Sequence, residues 1–292
     1  MQFWTKSGSV LRAAIIVAAA ALAGCESKVS VELGTKPPAQ QLITQVLVNL
    51  EGVEFRKSGG GTESLVFDEP EQVELIGLQE GNFSRLFTDE ELSDGSYTGV
   101  RLLLVDGENN NDRNRVFVDG EEVDLALGPL TNFSDVDFTV DKDDSSSDTI
   151  VLTLDLTLSL PFDEDADAET LTLTPILRAV RSEDAGGIGG NVTVNCPSNS
   201  ALAVYLFSGD DITPDDQDET EPNPYLTNAI RLSQTGPSSG YEFRFLPEGR
   251  YTLASTCRAD EENSGSDDDL DFRNVTQVEV EAETDVTQNI PD

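Results

Sequence analysis

Three cysteines, 56 acidic side chains and no histidine are the chemistry-bearing inventory of this 292-residue sequence. Cys25 follows Leu22-Ala23-Gly24, small residues ahead of a thiol, the lipobox pattern of an exported chain whose cysteine receives diacylglycerol. Lys6 and Arg12 make a positive start, residues 13–21 are apolar, and no acid precedes Cys25. The apolar run is shorter than the ~20 residues that a membrane-spanning helix needs. The expectation is a signal peptide over residues 1–24, palmitate-type acylation of Cys25, and a lipidated tether over 25–28. A diacylglycerol plus an N-acyl chain exceeds the two signals that stable anchoring requires. Glu26 stands where an Asp would be the usual inner-membrane retention signal, so the expected location is the outer membrane, on its periplasmic or cell-surface face.

Cys196 and Cys257 form one even pair in an exported chain, which reads as a disulfide. Closing a loop of about 60 residues contributes about 4 kcal/mol in the chain-entropy picture. The competing two-thiolate metal site lacks both CxxC spacing and a histidine.

Among the acids, Asp106, Glu108, Asn110 and Asp112 place oxygens at alternate positions, as hard-cation loops do. The loop has Asn111 where such loops carry Gly, and Phe117 where an EF-hand carries Glu. A solvated hairpin loop therefore competes with calcium, the one cofactor the sequence suggests. Asp210, Asp211, Asp215, Asp216 and Asp218, with Asp267, Asp268, Asp269 and Asp271, could also clasp a cation, although like-charge runs in loops are usually just solvated. A catalytic carboxylate pair has no discriminating signature, because with so many acids some pair falls at ~5–9 Å by chance. The clusters also lie in polar segments, without the apolar setting that raises one pKa. The absent histidine removes Ser–His–Asp and Cys–His catalysis and His-ligated metals. The charge of −38 and pI ≈ 4.1 exclude unaided binding to nucleic acid. An enzyme is not expected.

The elements that must carry these residues read as strands. Ile150, Leu152, Leu154, Leu156, Leu158 and Leu160 alternate with Thr153, Asp155, Thr157 and Ser159, the period of a half-buried antiparallel strand. Leu42, Thr44, Val46, Val48 and Leu50 do the same, as do Tyr241, Phe243 and Phe245. Short strands with Gly, Asn and Asp turns recur to the end of the chain, with a short helical turn at residues 88–92 as the weakly supported exception. This predicts an all-β protein of two tandem antiparallel β-sandwiches, Ig-like or transthyretin-like. The first would span 29–181 and the second 191–292, with a flexible Gly-rich linker at 182–190. One motif occurs in each: Leu92-Ser93-Asp94-Gly95-Ser96-Tyr97 and Leu246-Pro247-Glu248-Gly249-Arg250-Tyr251. Tyr97 and Tyr251 are expected to pack at strand corners with their hydroxyls bonded to backbone; ligand-stacking platforms are the alternative.

The stretches at 46–55, 72–81, 92–104, 116–120 and 175–180 resemble the bacterial lipoprotein family known as domain of unknown function 4382, over most of residues 28–181. At the opening strand the family's Thr-Asp-Ala-Pro turn is replaced by Gly34-Thr35-Lys36-Pro37. Residues 240–252, preceded by 203–207, look like a carboxypeptidase-regulatory-like, transthyretin-type sandwich. That likeness implies an accessory module without catalytic residues. The expected role is binding, adhesion or envelope structure, with the lipid bilayer as one partner and an envelope protein or glycan as the other. Carbohydrate recognition for an outer-membrane uptake system is the alternative, and a carboxylate-pair hydrolase comes third.

Overall fold

The computed structural model describes residues 27–36, 43–78, 82–107, 113–141, 147–160, 170–197, 200–218, 220–230, 239–262 and 267–291. Strands run in the order β1 (Lys28–Lys36), β2 (Ile43–Lys57), β3 (Thr62–Glu74), β4 (Ser84–Glu91), β5 (Gly95–Val105), β6 (Arg115–Val118), β7 (Glu121–Leu127), β8 (Phe138–Val140), β9 (Ser147–Asp155), β10 (Thr170–Leu173) and β11 (Leu177–Arg181). They continue as β12 (Ala185–Val192), β13 (Leu202–Ser208), β14 (Leu226–Ile230), β15 (Ser239–Pro247), β16 (Gly249–Thr256), β17 (Arg273–Val280) and β18 (Asp285–Thr287). The only α-helix among the described residues is the single turn α1 (Leu156–Ser159), so no described helix is long and apolar enough to cross a membrane.

Four sheets result. In the N-terminal part, β11-β9-β1-β4 faces a larger sheet, β10-β7-β6-β2-β5-β8 with β3 also paired to β2. The alternating apolar residues of both sheets meet in one core, from Val29 and Leu152 on one side to Val46, Phe55 and Tyr97 on the other. In the C-terminal part, β15-β12-β18 faces β14-β13-β16-β17 over a second core that includes Ile188, Leu206 and Leu253. The fold is thus two β-sandwiches. Their pairings are antiparallel except for β1·β9, β7·β10 and β12·β18, which run parallel. A third apolar cluster, with Tyr205, Phe207 and Leu270, covers the opposite face of the β13–β16 sheet.

Three local expectations change. Residues 88–91 belong to β4 rather than to a helical turn. The long alternation from Ile150 stops being a strand at Asp155, which caps α1: the Leu158 backbone N–H donates to Asp155 Oδ1 at 3.2 Å. Leu158 is consequently exposed rather than inward-facing. The Gly-rich linker at 182–190 is not a flexible joint, because Ala185–Val192 is the central strand β12. Glycine is needed there for close approach: a Cβ on Gly190 would lie 2.0 Å from the Gln288 carbonyl oxygen, and one on Gly186 would lie 2.4 Å from that of Glu281.

Candidate functional site

The unusual chemistry of this chain collects where the two sandwiches meet. β1 and β9 run parallel in a register that sets Lys36 beside Asp155. Both are buried, at 2% and 0% exposure, with Nζ 3.4 Å from Asp155 Oδ2. Arg178, on β11, reaches the same oxygen at 3.3 Å. From the C-terminal sandwich, the loop between β13 and β14 closes over this group. Lys36 Nζ donates to Gln217 Oε1 at 2.5 Å and to the Pro224 carbonyl at 3.0 Å. The Arg178 guanidinium lies 4.1 Å above the Tyr225 ring, a cation–π contact. Deeper in the C-terminal sandwich, the Gln217 backbone N–H and the Tyr205 hydroxyl donate to the two oxygens of Glu262, at 3.1 and 2.6 Å.

Burial governs the ionisation of this cluster. It pushes the Lys36 ammonium down, against the attraction of Asp155. It lifts the Glu262 carboxyl to about 7, although the Tyr205 hydroxyl, Lys36 and the Gln217 N–H all favour the carboxylate. Tyr205 is raised well above its usual range by burial, with the Glu262 charge adding to it. Shifts of this kind mark catalytic sites as well as structural networks, and access separates the two. The cavities beside Lys36 and beside Arg178 hold about 40 and about 10 Å³. That is room for a few waters and for one, against the ~300 Å³ or more of an ordinary ligand pocket.

The family model for Domain of unknown function (DUF4382) matches residues 26–175. The chain belongs to this family. No curated protein shows significant similarity to the sequence. Among solved structures, the chain is 10% identical to the minor pilin GBS52 of Streptococcus agalactiae, covering 90% of this chain and 94% of that one at a TM-score of 0.22. It is 13% identical to the fimbrial anchor protein Mfa2 of Porphyromonas gingivalis, covering 79% and 78% at 0.20. It is 9% identical to the Bacillus anthracis TIE protein, with 91% of this chain covered at 0.21, and spans 34% of that protein's length. TM-scores at this level do not amount to a shared fold.

Within the DUF4382 match lie Lys36 and Asp155, whereas Arg178, Gln217, Tyr225 and Glu262 lie beyond its end. The residues expected from sequence are scattered. Cys196 and Cys257 form the disulfide, with Cα atoms 5.4 Å apart, joining the chain after β12 to the end of β16. Tyr97 and Tyr251 both pack in the cores, and each hydroxyl lies against the carbonyl four residues upstream, Ser93 at 2.8 Å and Pro247 at 2.7 Å. Gly95, at φ 139°, makes the backbone turn that a side chain would resist. Asp106 accepts a hydrogen bond from the Asn114 side-chain amide at 3.0 Å; Glu108, Asn110 and Asp112, like Cys25, lie outside the described residues.

Sequence reasoning missed Lys36, Asp155, Arg178 and Glu262. Asp155 sits on the polar side of an alternating run, which normally faces water. Here that side of β9 is covered as well, and Val151 is as buried as Ile150. A further cleft of about 290 Å³ at one end of the N-terminal sandwich is lined by Arg101, Phe133 and Ile176. Its cation is engaged: Arg101 bonds Glu54 and the Leu130 carbonyl and stacks 4.6 Å from the Phe133 ring.

Proposed function

We propose that this DUF4382 protein is a non-catalytic, lipid-anchored envelope protein with a structural or adhesive role, which presents its two sandwiches as one rigid body. The observation that carries the reading is the closed polar junction. A buried lysine pairs with a buried aspartate and bonds to the backbone of the opposite sandwich, and an arginine joins the same aspartate through one nitrogen while its Nη1 stays buried without a hydrogen-bond partner; the space beside them holds no more than a few waters. Such a group fixes orientation and does no turnover. The C-terminal sandwich then acts as an accessory module, and binding specificity resides in loops away from the junction. Cys25 is the site of acylation, and Glu26 favours the outer membrane.

The anchor is tested by feeding labelled palmitate to cells that make the full chain. The wild type is expected to carry label and sediment with membranes, and Cys25→Ser to carry no label and to keep residues 1–24, whose removal depends on the acylated cysteine. An unlabelled wild type, or a Cys25→Ser chain that still takes label, would overturn the anchored reading.

A further inference from the structure

The outer face of the β13–β16 sheet is apolar, and the segments that cover it are among the most acidic in the chain. Ile212 and Leu270 with Phe272 pin the two covering segments onto Tyr205 and Phe207. This packing brings together acid runs about fifty residues apart in sequence. One carboxylate oxygen each from Asp215, Asp216 and Asp267 lie within 4.8 Å of one another. Asp215 is half-buried, Asp216 buried and Asp267 exposed, so the group opens to solvent on one side only.

Asp216 is the anomaly. Its Oδ2 accepts from the Asp268 backbone N–H at 2.6 Å. Its Oδ1 is buried without any hydrogen-bond partner. A buried, half-satisfied carboxylate is costly unless something positive meets it. Among the described residues no Lys or Arg pairs with Asp215, Asp216 or Asp267.

We infer that Asp215, Asp216 and Asp267 form a calcium site that ties the two covering segments of the C-terminal sandwich together. The donor set is oxygen only. The chain has no histidine and its Cys196 and Cys257 are joined to each other, so a hard cation fits and a thiolate- or imidazole-seeking metal does not. Carboxylates on irregular segments, with room for water on the open side, suit Ca²⁺ more than the strict octahedron of Mg²⁺. Gln217, next to Asp216, is the residue that receives Lys36 across the junction. An ion here braces the segment that holds the two sandwiches together.

The test is calorimetric titration of Ca²⁺ into the full chain, purified in detergent and stripped with chelator, together with melting curves in chelator, Ca²⁺ and Mg²⁺. The wild type is expected to bind Ca²⁺ and to melt at higher temperature in millimolar Ca²⁺ than in chelator or equimolar Mg²⁺. Asp216→Asn and Asp267→Asn should each weaken binding by about tenfold or more, since affinity follows the charge of the ligand set. In chelator Asp267→Asn should melt with the wild type, and Asp216→Asn at the same temperature or above, because it removes one of several clustered like charges. A wild type with no binding heat, an equal shift in Mg²⁺, which would indicate mere screening of the acidic surface, or an Asp267→Asn chain that binds like the wild type would each overturn the site. Asp216→Asn melting below the wild type in chelator while keeping its Ca²⁺ response would assign Asp216 to packing alone and overturn it too.

Discussion

Tyr97 shows how a single side chain holds a corner and couples it to pH. Its hydroxyl lies 2.8 Å from the Ser93 carbonyl and 2.7 Å from Glu63 Oε2. Glu63 is further bonded by the Ser93 N–H and hydroxyl and paired with Lys57 at 2.8 Å. Burial works against the Glu63 charge, but the hydrogen bonds from Lys57, Tyr97 and Ser93 outweigh it and hold the carboxyl down to about 2, against an ordinary 4.5. Burial raises the Tyr97 pKa most, with the hydrogen bond and charge of Glu63 and the charge of Asp94 adding to it. A carboxyl whose folded pKa is depressed stabilises the fold fully above its unfolded pKa and loses that contribution as pH falls toward the folded one. The window is therefore from about pH 4.5 down to about pH 2. Tyr97→Phe removes the donor and should cost about 1.5–3 kcal/mol near neutrality, as for a hydrogen bond to a charged acceptor. Urea denaturation at a series of pH values should show the gap between wild type and variant constant above pH 5 and narrowing through that window. A gap that stays constant to pH 2 would mean that Tyr97 acts through Ser93 alone.

At the scale of the element, β12 is the informative case. Gly186–Gly190 reads as a flexible joint by composition, yet it is the strand that holds β15 on one edge and β18 on the other. Its glycines are selected by proximity: the Cβ of Gly190→Ala would meet the Gln288 carbonyl carbon at 2.7 Å as well as its oxygen. Backbone cannot yield as a side chain can, so overpacking should cost about 1–3 kcal/mol. Gly59→Ala, which meets nothing within 4 Å, serves as the neutral control. Equal melting temperatures for the two variants would return residues 186–190 to the status of a tether. The contrast explains what was legible. Alternation exposed β2, β9 and β15, because one buried face writes period two into the chain. It did not expose the register shift between Leu50 and Gly52, where the inward set passes from Val46, Val48 and Leu50 to Val53 and Phe55. Nor could it expose the parallel β1·β9 pairing, set by contacts between residues more than a hundred positions apart. The disulfide was legible from parity and the corner tyrosines from a repeated motif. Lys36, Asp155 and Glu262 were not, since a buried charge looks like a solvated one until its partners are known.

Across the whole molecule, the junction decides whether two sandwiches behave as one body. Besides the Lys36 group it has an aromatic contact: Phe83, just before β4, meets Phe245 of β15 edge to face at 4.8 Å. Phe245 adopts φ 52° to make it, a left-handed conformation costly for a bulky residue, where the β12·β15 register shifts. A strained aromatic and a buried ion group on the same interface are features of a fixed junction, since a mobile one would leave both exposed and relaxed. Lys36→Met keeps the length of the side chain and leaves Asp155 its partner Arg178, but strands the Gln217 amide oxygen and the Pro224 carbonyl. Each buried acceptor left without its donor costs about 1–3 kcal/mol, and that loss falls between the sandwiches, whereas the Lys36–Asp155 pair lost with it lies within the first. Scanning calorimetry of the wild type should therefore show one cooperative transition, and Lys36→Met should divide it into two as each sandwich melts on its own core. A uniform downward shift of a single transition would place Lys36 inside one folding unit, and an unchanged trace would remove it from the junction's energetics altogether. The division, if seen, separates rigid presentation from a flexible pair of modules, because the lysine touches both sandwiches and belongs to the core of neither.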